Sequence, residues 1–168
     1  MAYEHLIRQR TGSVERLTLN RPEVRNAFND VMLAELTAWA KETAGDPGVR
    51  AVVLSGAGPV FCAGADAAWM AKTVEKTQAE NVADARFAAE MFRSIDELRV
   101  PVIARIQGAA IGGGAGLAAV SDVVVTGEIP AAIRKNVELW IGCIAGALRD
   151  TDYTAKLAAA GFDNIAIE

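Results

Sequence analysis

The chain has 168 residues, of which 52% are hydrophobic and 23% charged, with a formal net charge of -4. That is the composition of one globular domain with enough apolar material for a core. No Lys/Arg stripe marks a nucleic-acid surface, and Gly, Arg or Asp interrupts every long apolar run, which argues against a membrane span. Cys62 and Cys143 are the two cysteines and read as reduced thiols. The opening Met1-Ala2-Tyr3-Glu4-His5 lacks the basic-then-apolar pattern of an export signal. A cytoplasmic protein is expected.

In chain order, alternating apolar residues over 3–9 and 14–19 around Thr11-Gly12 predict a β-hairpin, ended by Asn20-Arg21-Pro22. Asp30 is the expected N-cap of a helix through Leu33, Leu36 and Ala40 that closes near Gly45. Asp46-Pro47-Gly48 is a turn, and Arg50 to Ser55 a buried strand followed by a loop over Gly56-Ala57-Gly58-Pro59. A long helix is predicted over about 79–98, a strand over 100–106, a short helix over 114–120 and a strand over 123–125. Strands alternating with helices imply a parallel sheet with helical crossovers. Beyond Thr126-Gly127 the character changes, and position 127 is a candidate junction. An apolar helix is expected over 131–148. A second, capped near Asp150 or Thr151, should end at Gly161, before a terminal strand Ile165-Ala166-Ile167.

Two glycine turns stand out: Phe61-Cys62-Ala63-Gly64-Ala65-Asp66 after a strand and loop, and Gly112-Gly113-Gly114 at a helix start. One such turn alone is ordinary punctuation. Two on neighbouring parallel strands could aim two backbone N–H donors at one oxygen, the requirement for an oxyanion hole. Neither fits a dinucleotide or P-loop pattern.

Asn20 to Asn29 resembles the N-terminal motif of the crotonase, or enoyl-CoA hydratase/isomerase, family. Val52 to Gly56 leading into Phe61 to Asp66 is similar to the family's first oxyanion segment. Pro101 to Ala104 leading into Gly108 to Gly114 is similar to its second, and Asp122 to Val125 to the strand that follows. The resemblance covers roughly residues 3–126. It implies an α/β fold: a truncated crotonase-like (ββα) spiral core, residues 1–126, with an unrelated-looking helical tail and short terminal strand, 127–168. It implies an acyl-CoA thioester as ligand, with coenzyme A part of the substrate and no separate cofactor, metal, nucleic acid or membrane partner, and a homo-oligomer. By the resemblance, the backbone N–H groups of Ala65 and Gly113 would bind the thioester oxygen. Arg25, Ala27, Phe28, Ala63, Asp66, Ala67, Ile111, Gly112 and Gly116 would line the substrate path.

The departures are equally specific. Many hydratases of the family carry a glutamate where this chain has Gly116, although methylglutaconyl-CoA hydratase-like members share the G-G-G-x-G-L pattern. The second catalytic acid lies beyond the part the resemblance covers. Hydration needs a base for water and an acid for the α-carbon. Glu128 lacks a matching motif, His5 reads as structural or surface, and Cys62 as a small buried hydrophobe. Gly127 to Pro130, Trp140 to Leu148, Tyr153, Leu157 and Gly161-Phe162 resemble the C-terminal end of arsenite methyltransferases, where the cysteine matching Cys143 would bind arsenic. That family's S-adenosylmethionine core has no counterpart here, so methyl transfer is not implied. The readings in competition are a crotonase-type enzyme, a non-catalytic acyl-CoA-binding module, and a truncated or fused remnant.

Overall fold

Strand β2 (Val14–Leu19) buries every second residue, Glu15, Leu17 and Leu19, the period a strand with one covered face requires. It pairs antiparallel with β1 (Leu6–Thr11) across the Gly12 turn, Leu6 opposite Leu19 and Thr11 opposite Val14. The computed structural model describes residues 3–127, 148–149, 154–155 and 158–159. After the hairpin the chain makes a short 3-10 turn (Pro22–Val24), then helix α1 (Asp30–Ala44) and strand β3 (Ala51–Gly56). Helix α2 (Ala67–Ala71), a second 3-10 turn (Lys72–Glu75) and the long α3 (Gln78–Asp96) precede β4 (Val102–Ile106). Helix α4 (Gly113–Ala119), β5 (Val123–Thr126) and β6 (Leu148–Arg149) follow. The sheet runs β1 to β6 in sequence order, and every pairing after the hairpin is parallel. The expected α/β crossover architecture is therefore observed.

One core joins the layers. Leu17, Leu19, Val52, Leu54, Val102 and Ala104 from the sheet meet Met32, Leu33, Leu36 and Trp39 of α1 and Met91 and Ile95 of α3. Fully burying each large apolar side chain contributes about 1.5–3 kcal/mol. Glu15 is the exception on that face. Fully buried, it accepts from Trp39 Nε1 at 2.5 Å and Thr43 Oγ1 at 3.2 Å, and Arg8 grips both its oxygens at 2.8 and 3.0 Å. The same Arg8 reaches Glu42 at 2.7 Å, so β1, β2 and α1 are joined by one polar cluster.

Several element ends differ from expectation for identifiable reasons. The N-cap of α1 is Asn29, not Asp30: Asn29 is extended and its side chain accepts from Met32 N at 3.0 Å, leaving Asp30 inside the first turn, where a negative charge suits the helix dipole. Helix α3 starts at Gln78 because Thr77 and Glu80 form a reciprocal capping box. Strand β4 starts at Val102, since Pro101 has no N–H to give a ladder. Leu148 belongs to a strand, paired with Val125, and not to the helix expected over 131–148. The rest of that helix, Glu128, Cys143, most of the second tail helix and the strand over 165–167 lie outside the described residues. The pairs 154–155 and 158–159, which are described, are helical.

Candidate functional site

At the C-terminal ends of β3 and β4 three short segments lie side by side. Phe28 forms a one-residue parallel bridge with Ala65, and Cys62 forms another with Ala110. On one side, Ala63 N donates to Arg25 O at 3.0 Å, Phe28 N to Gly64 O at 2.8 Å and Asp66 N to Phe28 O at 3.0 Å. On the other, Cys62 N donates to Ala109 O at 3.2 Å and Ile111 N to Cys62 O at 2.9 Å. In a parallel bridge the residue whose two neighbours supply the bonds points its own N–H and C=O the opposite way. The Ala65 N–H therefore faces away from Phe28, toward the 111–113 turn.

Glycine is needed where these segments touch. Gly64 has φ +89°, and a Cβ there would lie 2.7 Å from Ile111 O and 3.0 Å from Gly113 N. That contact places the Gly113 amide beside the residue preceding Ala65. Gly112, at φ 55° and ψ -119°, turns the chain into α4. A Cβ on Gly113 would lie 2.0 Å from Phe28 Cζ, and one on Gly114 2.3 Å from Cys62 O. Among the described residues, neither the Ala65 N–H nor the Gly113 N–H has a protein acceptor, while the amides of Ala63, Asp66 and Gly114 all do.

The segment 25–28 is held by two unusual residues. Arg25 and Asn26 both have φ 55°, a conformation asparagine tolerates better than most side chains. Asn26 is fully buried: its Oδ1 accepts from Arg21 N at 2.9 Å and its Nδ2 donates to Ala57 O and Val60 O at 2.8 Å each. Asp66 pairs with Arg21 at 3.0 Å and caps α2 through Ala68 N and Trp69 N. Burial opposes ionisation of Asp66, but the Arg21 guanidinium and those two amides outweigh it and hold the carboxyl below its usual value. Burial pushes the Cys62 thiol up to about 11, only partly offset by the Gly64 N–H, so this sulfur is not an activated nucleophile.

The residues singled out in the sequence thus separate by place. Phe28, Ala63, Ala65, Ile111, Gly112 and Gly113 meet at the two turns. Arg25 is exposed, with no ion pair among the described residues, whereas Ala27 is buried and gives its carbonyl to Arg21. Ala67 opens α2 and is exposed, and Asp66 is engaged within the protein. Gly116 faces Phe92: a Cβ there would lie 2.9 Å from the ring, which itself stands edge-on to Phe28 with centroids 6.2 Å apart. A cleft of about 360 Å³ lies between the α2 region and α3, lined by Trp69, Thr73, Asn81, Asp84, Ala85 and Ala88. Sequence reasoning passed over Arg21, Asn26, Trp69 and Phe92. The available signals were the Arg-Pro pair that ends the hairpin and an asparagine two residues before a buried aromatic. No described group of three or more His, Cys, Asp or Glu could hold a metal ion, and no described helix is long and apolar enough to cross a membrane.

Comparison with known proteins gives a consistent picture. A sequence profile for enoyl-CoA hydratase/isomerase matches residues 9–161, running past position 127 into the tail. A Thermus thermophilus relative named an enoyl-CoA hydratase is 37% identical over 140 residues, 83% of this chain and 54% of its own length. The crystal structure of an enoyl-CoA hydratase from Shewanella pealeana superposes with a TM-score of 0.72 at 32% identity, covering 74% of this chain and 47% of that one. An enoyl-CoA hydratase/isomerase from Marinobacter aquaeolei gives 0.69 at 39% identity, over 74% and 49%. The chain spans about half the length of the relatives it matches.

Proposed function

Because the chain belongs to the enoyl-CoA hydratase/isomerase family, we propose that it binds acyl-CoA thioesters and stabilises an enolate oxygen between the N–H groups of Ala65 and Gly113. One observation carries this reading: two backbone donors without acceptors among the described residues, on adjacent turns that touch where Gly64 admits no side chain. As the α-carbon of a thioester gains carbanion character, its oxygen gains charge. Donors already in place stabilise that charge without reorganising, and losing one typically costs about 2.7–4 kcal/mol. Arg25, exposed and unpaired among the described residues, is suited to a phosphate of the coenzyme A moiety. Ala27, Ala63, Ala67, Ile111 and Gly112 flank the path, and the cleft beside Trp69 offers room for the acyl group. Coenzyme A enters as part of the substrate, and no further cofactor is invoked.

A second reading, acyl-CoA binding without turnover, has its own support. Gly116 brings no carboxylate, and the Phe92 ring occupies the space a side chain there would need first. Neither residue can carry a proton. We also propose self-association, supported by the exposed apolar side chains of Met70, Val74, Val82 and Phe87.

Calorimetric titration with butyryl-CoA tests the reading. Saturable binding is expected, followed by a screen for hydration and isomerisation of enoyl-CoA substrates. Gly64→Ala, whose methyl would sit between the two donors, should weaken binding by at least about tenfold, or 1.4 kcal/mol. Absence of binding by wild-type protein with a cooperative unfolding transition would sink the reading.

A further inference from the structure

We infer that Arg21 is a positioning residue for the oxyanion site: one guanidinium fastens together the two segments whose pairing aims the Ala65 N–H. The inference rests on the thioester reading above. The direction of that N–H depends on the bridge between Phe28 and Ala65, which is a single residue pair. An ordinary strand pair is braced by further rungs on either side. Here, among the described residues, the main chain adds one further bond, Ala63 N to Arg25 O at 3.0 Å, on one side only, so the angle between segments 26–28 and 64–66 also depends on the side chains that join them.

Arg21 supplies that join from both sides. Its Nη1 donates to Ala27 O at 2.6 Å, one residue before Phe28. Its Nη2 pairs with Asp66 Oδ2 at 3.0 Å, one residue after Ala65. Its main chain holds the same loop: Arg21 N donates to Asn26 Oδ1 at 2.9 Å, and Asn26 N donates to Arg21 O at 2.8 Å. The side chains of Arg21 and Asp66 are each only 13% exposed. Arg21 Nε is buried with no partner among the described residues, an arrangement proteins seldom keep. The orientation that serves Ala27 and Asp66 together leaves the third nitrogen unserved, which indicates that the two-ended grip is what the site retains. Both ends of the grip fall next to the bridged pair, and Arg21 is not a member of the apolar core cluster. A lysine at this position is a single point charge on a flexible stem and cannot hold two acceptors in a fixed fork.

The test reads polarisation separately from affinity. Cinnamoyl-CoA, a conjugated enoyl thioester, shifts its absorption to the red when donors pull charge onto its carbonyl oxygen. Wild type should bind it with a clear shift at saturation. Arg21→Lys and Arg21→Met should keep cooperative unfolding and bind with a modestly raised Kd, yet lose about half or more of the shift, because a misaimed donor stabilises charge poorly. Asp66→Asn retains a helix-capping side chain and serves if the Arg21 variants do not fold; it should lose part of the shift. Added to Arg21→Lys it should cost little more, since the two act as one unit. A full shift in folded Arg21→Met or Asp66→Asn protein overturns the positioning role while leaving the thioester reading intact. Wild-type protein that binds without any shift, or does not bind, overturns the oxyanion reading itself and this inference with it.

Discussion

Gly114 shows how little freedom the two turns leave at single positions. Its missing side chain lets the start of α4 press on the Cys62 carbonyl, and a Cβ there would sit 2.3 Å from that oxygen. The obstacle is backbone, already engaged with Ile111 N, so it cannot swing aside. Gly114→Ala should therefore destabilise the fold by about 3 kcal/mol, at the upper end of ordinary overpacking, measurable by urea unfolding. Gly116→Ala meets only the far edge of the Phe92 ring, which can give way, and should cost clearly less. Sequence alone marks all these glycines alike. It shows that a tight turn is present, and it cannot show which neighbour each glycine makes room for.

Among the elements, β1, β2 and α1 owe their mutual fit to a charge in the core. Glu15 lies on the buried face of β2, which continues with Leu17 and Leu19, and its alternation with them reads as a plain strand pattern. The partners come from far along the chain, Trp39 and Thr43 on α1 and Arg8 on β1, which no local pattern connects. Removing one partner of a buried ion pair leaves the other charge uncompensated, typically at about 3–5 kcal/mol. Arg8→Met should lower stability by about that amount in denaturant titration, with Trp39→Phe costing about 1–3 kcal/mol for the lost donor. The regular elements were legible because periodicity and caps are local: strands β2 to β5 and helices α1, α3 and α4 fall within a few residues of expectation. Helix α2 was not, because five residues are too few to show a period. Its one local mark is Asp66, which the sequence offers equally as a ligand-facing acid. Similarly, Ala65, Gly113 and Phe28 could be picked out by likeness to a family motif, but the Arg21 clamp and the Phe92 ring edge-on to Phe28 arise from packing between distant segments.

At the scale of the whole molecule, the sheet does not stop at the change of character near residue 127. Strand β6 continues it in parallel, Val125 opposite Leu148 and Thr126 opposite Arg149, and the family match continues through the same region to residue 161. Among the described residues, several exposed large apolar side chains fall in the stretch from α2 to α3, where Val74 is 88% exposed and Met70 51%. Exposed side chains of this kind mark contact surfaces when they gather. Light scattering should find a mass above that of one chain at micromolar concentration, and Met70→Lys combined with Val74→Lys should shift it toward the monomer. A monomer in the unmodified protein would count against self-association.

The proposed donors at Ala65 and Gly113 are main-chain amides, and that has a consequence for how the site can be mapped. Every substitution at Ala65 except proline keeps the N–H, so a side-chain scan would pass over the very atom that matters. The same scan would register Arg21, Asn26 and Gly64, which hold the frame, and would draw a map of the scaffold with a blank at its centre. Exchanging the peptide link at residue 65 for an ester, by incorporating the matching hydroxy acid, deletes that donor while weakening the Gly64 carbonyl that accepts from Phe28 N, and the same exchange at residue 113 deletes the other donor; such main-chain edits address the chemistry where a side-chain scan cannot.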